Sequence, residues 1–172
     1  MICAFNYSDI ITEEHQNKAK NLIDNLIISG NWDKLSPSFQ TYPNLYQYSE
    51  FNIFFNCFLN SCNQYKNKLL EPTISKMWCY VDNGSNFFKT KSDKHENLWH
   101  SHQQDYTYEG ISGVYYLKNN KKLSTEFKNF KIEYPKDYTW YIFPSDLEHR
   151  SPKITCIEKR YTLAADIFFM PN

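Results

Sequence analysis

Two histidines stand two residues apart in Trp99-His100-Ser101-His102. In an extended strand, residues at i and i+2 face the same side, so the two imidazoles lie together. Side-by-side imidazoles are natural ligands for a divalent metal ion. A third histidine, His149, follows in Phe143-Pro144-Ser145-Asp146-Leu147-Glu148-His149-Arg150. Three imidazoles can hold a divalent ion and leave coordination positions open for other ligands. A lone histidine is more often a surface or hydrogen-bonded residue. The paired spacing, joined by a distant third, moves the balance toward metal.

A second chemical group lies downstream. Arg150 and Arg160 are the only arginines in a chain whose other basic residues are lysines. Arg160 opens an apolar, β-type run in which Thr162 and Ala164 share its face, while Tyr161, Leu163 and Ala165 face the other way. A guanidinium pointing inward beside small residues is a buried cation with room around it, and it requires an anion. A carboxylate-bearing cosubstrate can provide one through a bidentate contact. Glu158 or Asp166 as partner, or an outward-facing Arg160, are the simpler alternatives. Arg150, directly after His149, is expected to face out.

The elements that must position these groups read as two helices followed by strands. Met1 to Tyr7 is a short opening strand. Thr12 caps a helix over residues 12–29, with Glu13 and Glu14 in its first turn and Gly30 as its stop. Ala19, Leu22, Ile23, Leu26 and Ile27 give it a helical stripe. Residues 31–48, with Pro37 and Pro43, read as loop. Ser49 caps a second helix ending near Leu69 to Pro72, with Phe51, Phe54, Phe55, Phe58, Leu59 and Cys62 on one face. Strands follow at Ile74–Asp82, Leu98–His102, residues 111–117, Tyr138–Phe143 and Arg160–Met170, with one or two more over Leu123–Tyr134. Turns are expected at Asn83-Gly84, Asn119–Lys122 and Pro135–Asp137. Residues 85–97 are polar and read as a loop or flap over the site. This order predicts an α+β fold with helices packed on an antiparallel sandwich or barrel. Trp78, Tyr80, Trp99 and Trp140 are candidates for the pocket wall, with core packing the simpler role for each.

Bulk properties narrow the class. The 172 residues favour one domain: helical support over 1–72 and a β core over 73–170. Aromatic residues make up 18%, which suits a β-rich interior. Net charge is zero, so nucleic acid is not indicated as a partner, although a local groove could still serve one base. Five cysteines without a C-x-x-C pair argue against a disulfide framework and for a reducing, cytoplasmic setting. The sequence shows neither a signal peptide nor an apolar stretch of membrane-spanning length.

With these pieces in order, the chain resembles the 2-oxoglutarate- and Fe(II)-dependent oxygenases. Their signature is H-x-[D/E], then a tyrosine-bearing strand, a distal histidine and an arginine about ten residues on. The resemblance is closest to small oxygenases of phages and bacteria with an H-x-H, a Ser-Gly-Val-Tyr-Tyr and a Phe-Pro-Ser-x-Leu-x-His. Here these are His100-Ser101-His102, Ser112 to Tyr116 and Phe143 to His149, and the likeness extends over roughly residues 74–170. The prolyl hydroxylase branch is similar too. The resemblance implies a double-stranded β-helix (jelly-roll or cupin-like) with two supporting N-terminal helices. It implies His100, His102 and His149 as Fe(II) ligands, Arg160 on the distal carboxylate of 2-oxoglutarate, and Tyr116 assisting. The implied reaction uses O₂, releases succinate and CO₂, and hydroxylates a substrate of unidentified class: peptide, amino acid, base or metabolite.

His102 departs from the pattern, because that position usually holds a carboxylate. Asp105 is an alternative ligand if the chain bends after His102, or an outer hydrogen-bond acceptor for an imidazole. Two other functions compete. His100-x-His102-x-x-Asp105 partly mimics a zinc hydrolase ligand run, but lacks its adjacent Asp-His. A non-catalytic, cupin-like metal or ligand binder is the other, and an inward Arg160 would be superfluous there.

Overall fold

The computed structural model describes residues 1–33, 39–82, 99–103, 107–118, 124–132, 134–152 and 159–171. Nine strands and two helices are present among them. In chain order they are β1 (Cys3–Asn6), α1 (Glu13–Ile28), β2 (Phe39–Gln40), α2 (Asn52–Lys66), β3 (Ile74–Asp82), β4 (Glu109–Lys118), β5 (Glu126–Phe127), β6 (Phe130–Lys131), β7 (Thr139–Pro144), β8 (His149–Arg150) and β9 (Arg160–Phe169). The architecture is α+β with antiparallel sheets. One sheet has six strands in the order β1-β7-β4-β9-β3-β2, and the other has three in the order β6-β5-β8. The first 72 residues contribute β1 and β2 to the larger sheet as well as both helices.

The helices form where the apolar spacing placed them, with different ends. Thr12 caps α1 by accepting from the His15 amide, and the His15 ring accepts from the Thr12 amide, a capping box with histidine in the usual Glu or Gln place. Gly30, at φ +76°, closes the helix as a left-handed stop. Ser49 does not cap α2. It opens a single 3₁₀ turn, Ser49–Phe51, that leads into the helix. The helix stops at Lys66, short of Leu69, because Asn67 turns left-handed at φ 52° and the Lys68 amide donates to the Asn63 carbonyl.

The larger sheet is sandwiched. On its helical face Tyr115, Trp140 and Ile142 meet Phe54 and Phe58 of α2, with Phe54–Tyr115 at 5.4 Å and Phe58–Trp140 at 5.1 Å between centroids. Burying each such aromatic contributes roughly 1.5–3 kcal/mol. Gly113 permits this approach: a Cβ there would lie 2.8 Å from Phe58 Cε2. Trp140 belongs to this core, fully buried, with its indole N–H donating to the Phe54 carbonyl. It therefore does not wall the pocket. The alternation of β7 sends Tyr141 and Phe143 to the opposite face, where they join Val114, Tyr116, Phe127 and Ile132 in a second apolar cluster between the two sheets.

That second face carries the chemistry. Register pairs Ser112 with Asp166, Val114 with Ala164 and Tyr116 with Thr162, while β3 places Trp78 opposite Ala164 and Tyr80 opposite Thr162. Arg160, Thr162, Ala164 and Asp166 thus share one side of β9, extending the predicted alternation by one more residue. Among the described residues no helix is long and apolar enough to cross a membrane. The Asn83-Gly84 turn, the 85–97 flap, Asp105 and the Asn119–Lys122 turn lie outside the described residues.

Candidate metal centre

His100, His102 and His149 converge, each offering one ring nitrogen, with the three nitrogens within 4.8 Å of one another. The convergence has a backbone cause. His100 and His149 form an antiparallel bridge, His100 N donating to His149 O at 3.0 Å and His149 N to His100 O at 2.9 Å. After the bridge the chain bends, and the amides of His102 and Gln103 both donate to the Ser145 carbonyl. The Ser145 hydroxyl donates to Gln103 Oε1 at 2.6 Å, and Gln103 Nε2 donates to the Tyr108 carbonyl at 2.9 Å. Gly110 leaves space for this knot: a Cβ there would fall 1.9 Å from Ser145 Oγ. The segment bearing His100 and His102 is thereby tied to the turn that leads into His149. The two paired imidazoles face each other at 5.5 Å, and His149 sits 4.5 Å from His100 and 4.7 Å from His102 between ring centroids.

Hydrogen bonds orient two of the rings. His149 Nδ1 lies 2.8 Å from the Leu147 carbonyl, which can only accept, so Nδ1 carries the proton and Nε2 keeps its lone pair. His102 Nδ1 lies 2.8 Å from Asp166 Oδ1, and the Ser112 hydroxyl donates to the same oxygen at 2.7 Å. Asp166 is 2% exposed. Sequence reasoning weighed Asp166 only as a partner for Arg160. Six residues along a strand separate the two by roughly 20 Å, and the carboxylate instead braces a histidine. The signal was available: counting by two from Arg160 past Ala164 reaches Asp166, the one carboxylate in the run Arg160–Phe169.

The other predicted residues fall as follows. Arg160 is 1% exposed, on the face of β9 that carries Asp166. Its charge acts on the Tyr116 hydroxyl, opposing the stronger effect of burial, which raises that phenol above its ordinary value. The Tyr116 hydroxyl donates to Thr125 Oγ1 at 3.0 Å and accepts from the Thr125 amide at 2.8 Å, joining the larger sheet to the segment before β5. Trp78 lies 5.2 Å from the His102 ring. The Trp78 indole N–H and the Thr162 hydroxyl, both buried on this face, have no hydrogen-bond partner among the described residues. Arg150 does not simply face out. It donates to Glu126 at 2.8 Å and lies over the exposed Trp99 ring at 4.5 Å, clasping the residue before His100.

Burial, reinforced by His102, pushes the His149 imidazole down from an ordinary 6.5 to about 3. The histidine is neutral at neutral pH and need not lose a proton to become a ligand. The unfolded chain protonates this histidine below about pH 6.5, whereas the native metal-free protein does not until about pH 3. Stability is therefore lost as pH falls through that window, by about 1.4 kcal/mol per pH unit from this group, with no contribution above it. Urea midpoints of the metal-free protein should be level in this respect above about pH 6.5 and show this slope below it, and His149→Gln should lack it. Equal slopes in the two proteins contradict the assignment.

No protein-family model matches the sequence, and no curated protein matches it. Solved structures do match. A viral collagen prolyl hydroxylase from Paramecium bursaria Chlorella virus-1, solved as its 2OG complex, is similar over 98% of this chain and 96% of its own, at 12% identity and a TM-score of 0.65. The chain has the prolyl hydroxylase fold. Two further prolyl hydroxylases agree. One, from Trichoplax adhaerens in complex with a hypoxia inducible factor peptide fragment, is similar over 98% of this chain and 83% of its own, at 12% identity and a TM-score of 0.63. The other, a Pseudomonas putida prolyl-4-hydroxylase, is similar over 99% and 92%, at 11% identity and a TM-score of 0.61. The resemblance drawn from the motif order is thus met at the level of the prolyl hydroxylase fold, across almost the whole chain.

Proposed function

We infer that the protein is an Fe(II)- and 2-oxoglutarate-dependent dioxygenase that hydroxylates a substrate, with residues 1–172 forming one oxygenase domain. The two sheets then correspond to the faces of a double-stranded β-helix. The observation that carries this reading is the convergence of His100, His102 and His149 on the sheet face that also buries Arg160. Three imidazoles with open positions suit Fe(II). The face between the metal centre and Arg160 suits a dicarboxylate. Thr162 and Ala164 are small, and the Trp78 N–H and Thr162 hydroxyl lack partners, so an acceptor-rich ligand would relieve two buried polar groups. Arg160 would meet the distal carboxylate through its planar fork. Tyr116 would assist by turning its hydroxyl from Thr125 toward that carboxylate.

Bound Fe(II) and 2-oxoglutarate would supply the oxidation: O₂ is consumed, one oxygen atom ends in succinate, the other in the hydroxylated substrate, and CO₂ leaves. The protein's share is to hold the three rings, orient the dicarboxylate and exclude water. The apolar cluster between the two sheets, with Val114, Phe127 and Phe143, would help with the last of these on the same face. A module that only held a metal would have no use for a buried arginine on this face. Anaerobic addition of Fe(II) and 2-oxoglutarate should give a visible charge-transfer band, and admitting O₂ should convert 2-oxoglutarate to succinate. Absence of both signals from the metal-loaded protein would overturn the reading.

A further inference from the structure

Asp166 raises a question that the three-histidine set leaves open. A buried carboxylate costs several kcal/mol unless it is well paired, and an apolar residue in the middle of β9 would cost nothing. The chain nonetheless places an aspartate there, 2% exposed, between Ala165 and Ile167, which pack toward the helices. Its position is rigid. Ser112 lies directly across on β4, and its hydroxyl holds Asp166 Oδ1 at 2.7 Å while His102 Nδ1 approaches the same oxygen at 2.8 Å. Lys76, across on β3, points its ammonium over the Phe168 ring at 5.8 Å. The hydrogen bonds of the carboxylate thus run to His102 and Ser112.

This arrangement answers a deficit of charge. Three neutral imidazoles leave a divalent ion with its full two positive charges, whereas a set with one carboxylate leaves one. We propose that Asp166 is a positioning residue that acts through His102: it fixes the ring with Nε2 toward the metal and restores, one hydrogen bond away, the negative charge that a carboxylate ligand would have carried. This rests on the metal-centre reading above. An outer carboxylate of this kind orients the ring and strengthens it as a donor, and loss of such a partner typically weakens metal binding about 10- to 100-fold.

The test is a double-mutant cycle read by Co(II) titration of the whole protein, by calorimetry and by the visible absorption of the bound ion, without 2-oxoglutarate or turnover. Asp166→Asn keeps size and hydrogen bonding but removes the charge. It should weaken Co(II) binding about 10- to 100-fold and shift the absorption. His102→Asp puts a carboxylate in the ligand position beside Asp166, two like charges that repel, and should also bind weakly. The double variant His102→Asp/Asp166→Asn has a single carboxylate again and should recover affinity to within about tenfold of the wild type. Wild-type affinity in Asp166→Asn, or losses that simply add in the double variant, would overturn the proposal. A merely structural Asp166 would lower the melting temperature of the apo-protein in both Asn variants and give no recovery. A wild type that takes up no Co(II) overturns the metal centre itself. Recovery in the double variant, with no charge-transfer band from the wild type on adding Fe(II) and 2-oxoglutarate, leaves Asp166 standing and overturns the oxygenase reading.

Discussion

Replacing His149 with alanine is expected to abolish useful metal binding while the fold survives. The affinity loss should exceed the roughly 10- to 100-fold that removing only an outer hydrogen-bond partner costs, because one of three donors is gone. His149 is the most deeply placed of the three, 5% exposed and wedged against Phe143 and Phe127 with ring centroids at 5.2 and 5.9 Å. Its ring is fixed by Leu147, so little freedom remains to be lost when metal binds. The bridge to His100 runs through backbone atoms and persists in the variant. Truncation leaves a cavity and frees the Leu147 carbonyl, together costing about 2–4 kcal/mol, partly offset because a buried imidazole no longer has to stay unprotonated. Titration with Fe(II) or Co(II) under anaerobic conditions checks the affinity, and circular dichroism checks the fold. His15→Ala is the control, since His15 serves only the cap of α1. Near-native metal affinity in His149→Ala would remove the metal centre as described.

Arg160→Ala is expected to separate cosubstrate from metal. Loss of a charge-assisted, bidentate contact costs on the order of 1.5–3 kcal/mol, or about 10- to 150-fold in affinity for 2-oxoglutarate. Metal affinity should be unchanged, because the His102–Asp166 pair lies at the other end of β9, about 20 Å along the strand. Arg160→Lys keeps the charge but not the fork and should fall between wild type and alanine. Calorimetric titration of 2-oxoglutarate into the metal-loaded proteins gives all three affinities. Unchanged 2-oxoglutarate affinity in Arg160→Ala would reassign the arginine to a structural role.

Legibility in the sequence followed the period of each element. The strong alternation of Arg160–Phe169 and the helical stripe of Glu13–Ile28 gave both elements nearly to the residue. In α2 the aromatic stripe was readable, but the stop was not. The expected end is near Leu69 to Pro72, but Asn67 turns left-handed and stops the helix at Lys66. The three histidines were legible because an i, i+2 pair and a distant third are unusual in a chain with five histidines. Asp166 was hidden by its surroundings. Within an apolar run its nearest sequence partner is the conspicuous Arg160; the pairing of β4 with β9 brings Ser112 to it, and the bend that ties His102 to Ser145 brings His102. Trp140 takes the simpler of its two expected roles, core packing, because the phase of β7 turns it to the helices and leaves Tyr141 and Phe143 on the other face. Arg150 is expected to face out, and its partners, Trp99 and Glu126, are not legible because they come from distant segments.

One measurement bears most directly on the metal centre and its cosubstrate together: the visible spectrum of the anaerobic protein as 2-oxoglutarate is added after Fe(II). A charge-transfer band that needs both components, saturates at one equivalent, is lost in His149→Ala and needs more 2-oxoglutarate in Arg160→Ala is the predicted result. Fe(II) uptake with no band at any 2-oxoglutarate concentration, and no succinate once O₂ is admitted, is the result that contradicts it.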